Sequence, residues 1–140
     1  MDYLKHNNVS ELVIGHNKDQ KQNINIGDKN NQNFVLIPYN IFIDMLIYKC
    51  KLVGISTKVR EESYTSKCSF ADNETIRKHN EYKGKRIKRG LFQASNGFNY
   101  NADLNGALNI LKKEFPKAFD NIEGNGIEGL MISPTCLQVN

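Results

Sequence analysis

The sequence predicts an α/β fold that carries a loop-rich insertion, and three observations point there. An apolar helical stripe runs straight into an alternating segment through the single residue Gly54, as in an α/β unit. From residue 63 to residue 101 no helical period persists. The period then returns at Leu104, Ala107, Leu108 and Leu111.

Residues 11–15 (ELVIG) are a short apolar run closed by glycine, which reads as a buried strand, and the polar HNKDQKQN after it reads as an exposed loop. A short alternating run follows from Ile24 to Ile26. Residues 33–38 (NFVLIP) form another extended run, with Pro38 suited to the first turn of a helix. Ile41, Met45, Tyr48 and Leu52 then recur at i, i+4, i+7 and i+11, with Phe42, Leu46 and Val53 beside them, so the spacing predicts a helix over 38–53 with one broad apolar face. Gly54 closes it, and residues 55–62 (ISTKVREE) alternate through Ile55, Thr57 and Val59 before turning charged. Scattered aromatics and Gly84, Gly90 and Gly97 mark the insertion. A final helix, with Asp103 at its start and Lys112, Lys113 and Pro116 at its end, precedes an irregular, glycine-rich tail. The chain thus divides into 1–62, an insertion over 63–101, a helical segment over 102–116 and a tail over 117–140.

At 140 residues the chain fits one small domain. A hydrophobic content of 39% is too high for a disordered chain, and no apolar run approaches the ~20 residues of a membrane helix, so no membrane partner is expected. The first fifteen residues lack the apolar core of a signal peptide, which points to the cytoplasm. Three scattered cysteines, Cys50, Cys68 and Cys136, fit reduced thiols rather than a disulfide framework. The nineteen asparagines read as compositional drift without functional content.

The formal net charge is +4, from 19 basic and 15 acidic residues, but it is concentrated. Residues 76–90 hold seven basic residues and one acidic residue, and the rest of the chain carries a net −2. In this window Lys85, Arg86, Lys88 and Arg89 can neutralise phosphates, with Tyr82 and Phe92 as flanking surfaces on which bases could stack. A solvated charged loop has the same composition. Because nearly all the excess charge is here, nucleic acid, and DNA in particular, is the favoured partner, contacted mainly through its backbone. Lys78, Lys67, Lys18 and Lys21 are further candidate contacts.

Two other constellations bear on chemistry. Glu61 and Glu62 end a predicted strand and Asp103 begins a helix; carboxylates from separate elements can converge on Mg²⁺ for phosphodiester cleavage. The same residues also read as a helix N-cap and two solvated strand-end charges. Cys68 in SYTSKCSF stands alone where a zinc site needs four soft ligands, so no structural zinc is expected.

The blocks VIGHNKDQKQ, NFVLIPYNIFIDMLIYKCKLVGI, EESYTSKCSF, GKRIKRGLF and NADLNGALNI, in that order, resemble the carboxyl-terminal part of OrfB/TnpB-type proteins. These are transposon-encoded RNA-guided endonucleases, long called transposases and related to compact type V CRISPR effectors. The resemblance covers roughly residues 11–115. It implies a RuvC-like, RNase H-type fold with an inserted target-nucleic-acid-binding module, often a zinc ribbon, and DNA cleavage by Mg²⁺ held on carboxylates. Asp103 matches the last catalytic Asp of that family, and Glu62 matches a rearranged position of its Glu, with Glu61 the neighbouring alternative.

Two departures accompany the resemblance. The ribbon motif is half erased, because Cys68 survives while LFQASNGFNYN supplies no second Cys pair. The first catalytic strand and its Asp belong far upstream, as do the guide-RNA-binding regions, so the chain reads as a partial RuvC-like fold. With two of three carboxylates, efficient cleavage by this chain alone is not expected. The expected activity is binding of DNA with little sequence preference, since a guide RNA supplies specificity in the intact systems. A complemented Mg²⁺-dependent endonuclease and an interaction subunit of a full-length relative are the alternatives. A partial sheet also leaves an edge uncovered and the face of the 38–53 helix exposed, which implies self-association.

Overall fold

A computed structural model of the chain describes residues 1–17 and 39–120. The runs at 24–26 and 33–38, Lys18, Lys21, Cys136 and the tail beyond residue 120 lie outside the described residues. The chain divides into two compact units, Met1–Val59 and Arg60–Asn140.

The first unit opens with a one-turn helix, α1 (Asp2–His6), too short to carry a periodic signal. β1 (Glu11–His16) and β2 (Ser56–Glu61) lie where the sequence places strands and pair in a two-stranded sheet, but β1 is half-buried along its length rather than buried. An ion pair of 2.8 Å between Lys58 and Glu11 bridges the two strands. Between them in sequence, α2 (Tyr39–Leu52) is the helix expected over 38–53. Gly54 closes it with a φ of +76°, a conformation that costs a glycine nothing.

The face of α2 that is buried differs from the stripe that predicts the helix. Ile43 and Cys50 are buried, whereas Ile41, Phe42, Met45, Tyr48 and Leu52 stand out, from 51% exposed at Phe42 to 67% at Leu52. The helix is apolar on two sides, so periodicity finds the helix but cannot say which side its own unit covers.

The second unit is free of helix and strand from residue 62 to residue 84, in keeping with a loop-rich insertion, and then adds a small sheet that the sequence does not predict. Within it β3 (Lys85–Lys88), β4 (Leu91–Gln93) and β5 (Asn99–Asn101) form an antiparallel sheet in the order β3-β4-β5. Strands of three and four residues are too short for an alternating pattern to stand out from their turns. The β4 and β5 register sets Phe92 opposite Tyr100, and these rings, 5.4 Å apart between centroids, are the centre of the core. Phe70, Ala94 and Ala102 complete it, with Phe98, Leu104, Leu108 and Phe119 packed around.

α3 (Ala102–Glu114) follows β5 directly. Its N-cap is Asn101, whose side chain accepts from the backbone N–H of Asp103 and Leu104 at 2.8 and 2.9 Å. Asp103 is therefore not the cap. It lies in the first turn, where a carboxylate complements the positive end of the helix dipole. The buried positions of α3 are Ala102, Asn105 and Asn109, while Ala107, part of the predicted apolar stripe, is exposed. The helix turns a polar face inward because it packs on backbone carbonyls of the 65–68 turn as well as on apolar side chains.

Candidate nucleic-acid interface

The basic window is displayed on an open strand edge. β3 is an outer strand of its sheet, and all four of its residues are exposed, as is Arg89 in the turn that follows. Gly90, at a φ of +76°, makes that turn tight enough to bring Leu91 back alongside Lys88.

A bulge distributes the cations over both faces of the strand. Lys85 pairs with Gln93 and Arg86 with Phe92, but the next pair is Lys88 with Leu91, leaving Ile87 as the extra residue. Side chains of directly paired residues share a face, and Leu91 and Gln93 point opposite to Phe92. Lys85 and Lys88 therefore share one face and Arg86 takes the other. None of Lys85, Arg86, Lys88 and Arg89 makes a hydrogen bond or ion pair through its side chain with the described residues. Lys78 and Lys67 are exposed as well.

Beside this edge lies a shallow recess lined by Tyr82, Lys85, Gln93 and Ser95, among others. Tyr82 is half-buried, with the His79 ring edge-on at 5.4 Å, and keeps aromatic surface available. Phe92 is a correction: at 1% exposure it is a core residue and offers no face to a base. Its place on the middle strand, opposite Tyr100, determines this.

The segment leading to the interface is held by carboxylates. Glu74, 3% exposed, accepts from the backbone N–H of Ser69 at 2.7 Å and of Lys83 at 3.0 Å, so its buried charge is met by two donors. Asp72 accepts from the backbone N–H of Ser95 at 3.0 Å and from its hydroxyl, joining the 69–74 turn to the hairpin between β4 and β5. Burial pushes the Asp72 carboxyl up, but Ser69, Ser95 and the nearby Lys83 charge outweigh it and hold the group below its ordinary value.

Cys68 is fully buried, its sulfur 3.5 Å from the carbonyl oxygens of Thr75 and Arg77. Burial pushes its thiol up, away from the thiolate that ligates metal. Among the described residues no three His, Cys, Asp or Glu gather into a metal-binding group, and this donor set does not fit a zinc ion.

The acidic candidates occupy different places on the second unit. The Glu61 carboxylate accepts from the Ser63 backbone N–H at 2.7 Å and from its hydroxyl, and lies 3.3 Å from the Lys113 ammonium. The Ser63 hydroxyl first, and Lys113 with it, lower its pKa. Lys113 is in the last turn of α3, whereas Asp103 is in the first, about 15 Å away along the axis at the usual helical rise. Glu62 follows Glu61 and accepts through its backbone carbonyl from Thr65; its carboxylate makes no hydrogen bond or ion pair with the described residues.

Composition and charge alone do not single out Asn101, Asn105 and Asn109. The first caps α3, and the others fix the 65–70 turn onto it through hydrogen bonds to Thr65, Cys68 and Phe70. A signal for them exists in the spacing: three asparagines at four-residue intervals fall on one stripe of a helix.

A small sheet whose basic outer strand pairs on one side only among the described residues, braced by a helix, is an arrangement suited to nucleic acid. The family comparison agrees: the chain matches the Cas12f1-like TNB domain family over residues 39–110 and belongs to it. This places it with the target-nucleic-acid-binding regions of TnpB- and Cas12f-related proteins. No curated protein matches the chain.

Proposed function

We propose that the chain binds DNA through the β3 edge and the turn after it, using Lys85, Arg86, Lys88 and Arg89 on phosphates. The observation that carries this reading is three exposed cations on the two faces of an outer strand and a fourth in the turn after it, all without partners among the described residues. Tyr82 and the adjoining recess give an unstacked base a surface beside those cations. Lys67 and Lys78 add attraction, and sequence preference is weak because backbone contacts dominate.

The reading extends to descent from an RNA-guided, RuvC-type DNA endonuclease, supported by the ordered sequence blocks and the family match. Efficient cleavage by this chain alone is not part of it. The placement of Glu61 beside Lys113, at the far end of α3 from Asp103, supports that view.

Fluorescence anisotropy with labelled single-stranded and duplex DNA over a salt series tests the binding. For duplex, log affinity falls against log salt with a slope of about −0.9 per phosphate neutralised. Changing Lys85, Arg86, Lys88 and Arg89 to Ala lowers both affinity and slope; unchanged binding removes the proposed footprint. Mg²⁺-dependent cutting that disappears in Glu62→Ala and Asp103→Ala would overturn the view that the chain does not cleave.

A further inference from the structure

We propose that Asn96, in the turn between β4 and β5, is a modification site: its side-chain amide reacts with the Gly97 backbone nitrogen, and the aspartate or isoaspartate that results weakens the adjacent nucleic-acid interface. The sequence holds three Asn–Gly pairs, at 96–97, 105–106 and 125–126, of which the last lies outside the described residues. In such a pair the attacking nitrogen is least shielded, since glycine has no side chain beside it.

The structure sets the first two pairs apart. Asn96 and Gly97 are both exposed, and Gly97, at a φ of +88°, has no heavy atom near the position a Cβ would take. The Asn96 Oδ1 accepts from the Phe98 backbone N–H at 2.9 Å, so a donor already sits on the oxygen that gathers negative charge when Cγ is attacked. The Gly97 N–H, which donates to the Ala94 carbonyl at 3.0 Å, is released when this exposed turn opens. Asn105 is fully buried. Its Oδ1 accepts from Phe70 and Tyr100, its amide nitrogen donates to Thr65 and Cys68, and Gly106 lies within α3. Nucleophile and leaving group are both tied down there.

The step is redox-neutral. The Gly97 nitrogen bonds to Asn96 Cγ and gives up its proton, the Cγ–Nδ2 bond breaks, and the amide nitrogen leaves as ammonia with that proton, so that a cyclic imide remains. Water then opens the imide at either carbonyl and its oxygen enters the carboxylate. Opening at Cγ gives aspartate; opening at the main-chain carbonyl gives isoaspartate, which lengthens the backbone by a methylene. Either product sets a negative charge next to the recess that Gly97 lines with Tyr82, Lys85 and Gln93. The effect on binding rests on the DNA reading above, because the new charge repels the phosphates that Lys85 attracts.

Peptide mass mapping of the full chain, incubated near neutral pH in water enriched in heavy oxygen, tests the site. Asn96 is expected to convert with time to aspartyl and isoaspartyl products that carry solvent oxygen, while Asn105 stays intact. Anisotropy with labelled DNA on the same samples is expected to show several-fold weaker binding as conversion proceeds. Asn96→Asp binds as weakly from the start, and Asn96→Ser, whose hydroxyl can still accept from the Phe98 N–H, does not change with age. An Asn96 that persists, or that converts no faster than Asn105, overturns the proposal, as does a converted chain that binds DNA like the fresh one. A fresh chain that binds no DNA removes the interface reading instead, and the mass map still decides the modification.

Discussion

Asn105 and Asn109, one turn apart on α3, point their side-chain amides at the same two backbone carbonyls, those of Thr65 and Cys68, at 2.8–3.4 Å. Each amide has two hydrogens and each carbonyl two lone pairs, so four hydrogen bonds fit in one buried patch. Asn105 does more: its Oδ1 accepts from the Phe70 backbone N–H at 2.9 Å and from the Tyr100 hydroxyl at 2.8 Å. The Asn109 Oδ1 is buried and accepts no hydrogen bond from the described residues.

The two residues should therefore differ in cost. Asn105→Ala leaves the buried Phe70 N–H without its acceptor and the Tyr100 hydroxyl with only the Ser69 Oγ at 3.4 Å, and is expected to destabilise the second unit by about 2–4 kcal/mol. Asn109→Ala leaves both carbonyls still served by Asn105 and should cost about 1 kcal/mol. Urea denaturation followed by circular dichroism measures both, and equal losses would contradict the shared arrangement.

Gly84 enters β3 where there is no room for a side chain. A Cβ there would press on the Phe92 ring and approach Gln93 O to 2.8 Å and Ser69 Cβ to 2.9 Å. Gly84→Ala is expected to cost about 1–3 kcal/mol by overpacking, read as a lower urea midpoint with an unchanged m-value.

Asp72 sets an acid limit on stability. Its folded-state pKa is lowered, because the contacts from Ser69, Ser95 and Lys83 outweigh the opposing effect of burial. A depressed carboxylate contributes stability that is fully present above the unfolded value, about 3.9, and is lost as pH falls through the lower folded value. Urea midpoints should thus fall below about pH 4, and Asp72→Asn should flatten that limb while lowering the neutral-pH midpoint. An unaltered acid limb in the variant would refute the assignment.

The two aromatics that flank the basic window in sequence should respond in opposite ways. Phe92→Ala empties the core and is expected to cost about 3–5 kcal/mol of stability. Tyr82→Ala should leave folding nearly intact and weaken single-stranded DNA binding by about 1–3 kcal/mol, with less effect on duplex. Thermal melts and anisotropy on each variant separate these outcomes.

Long, strongly patterned elements were legible in the sequence: α2, α3, β1 and β2 lie where periodicity, Gly54 and the basic end of α3 put them. The sheet of the second unit was not, since three- and four-residue strands between glycine turns carry no readable alternation. The basic residues of the candidate interface were visible as charge, but their division between faces depends on the bulge at Ile87, which only the register reveals. The core role of Phe92 and the buried roles of Asn105 and Asn109 depend on contacts between residues far apart in sequence. Composition has no access to such contacts.

Glu74 and Asp72 fasten the turn that carries Cys68 to the rest of the module using backbone amides and a serine. The same two carboxylates tie the entry to β3, through the Lys83 N–H, and the β4–β5 hairpin, through Ser95, to one turn. The cationic strand is thereby mounted on a frame whose parts open and close together, so loosening the turn would blur the spacing of Lys85 and Arg86 without touching either.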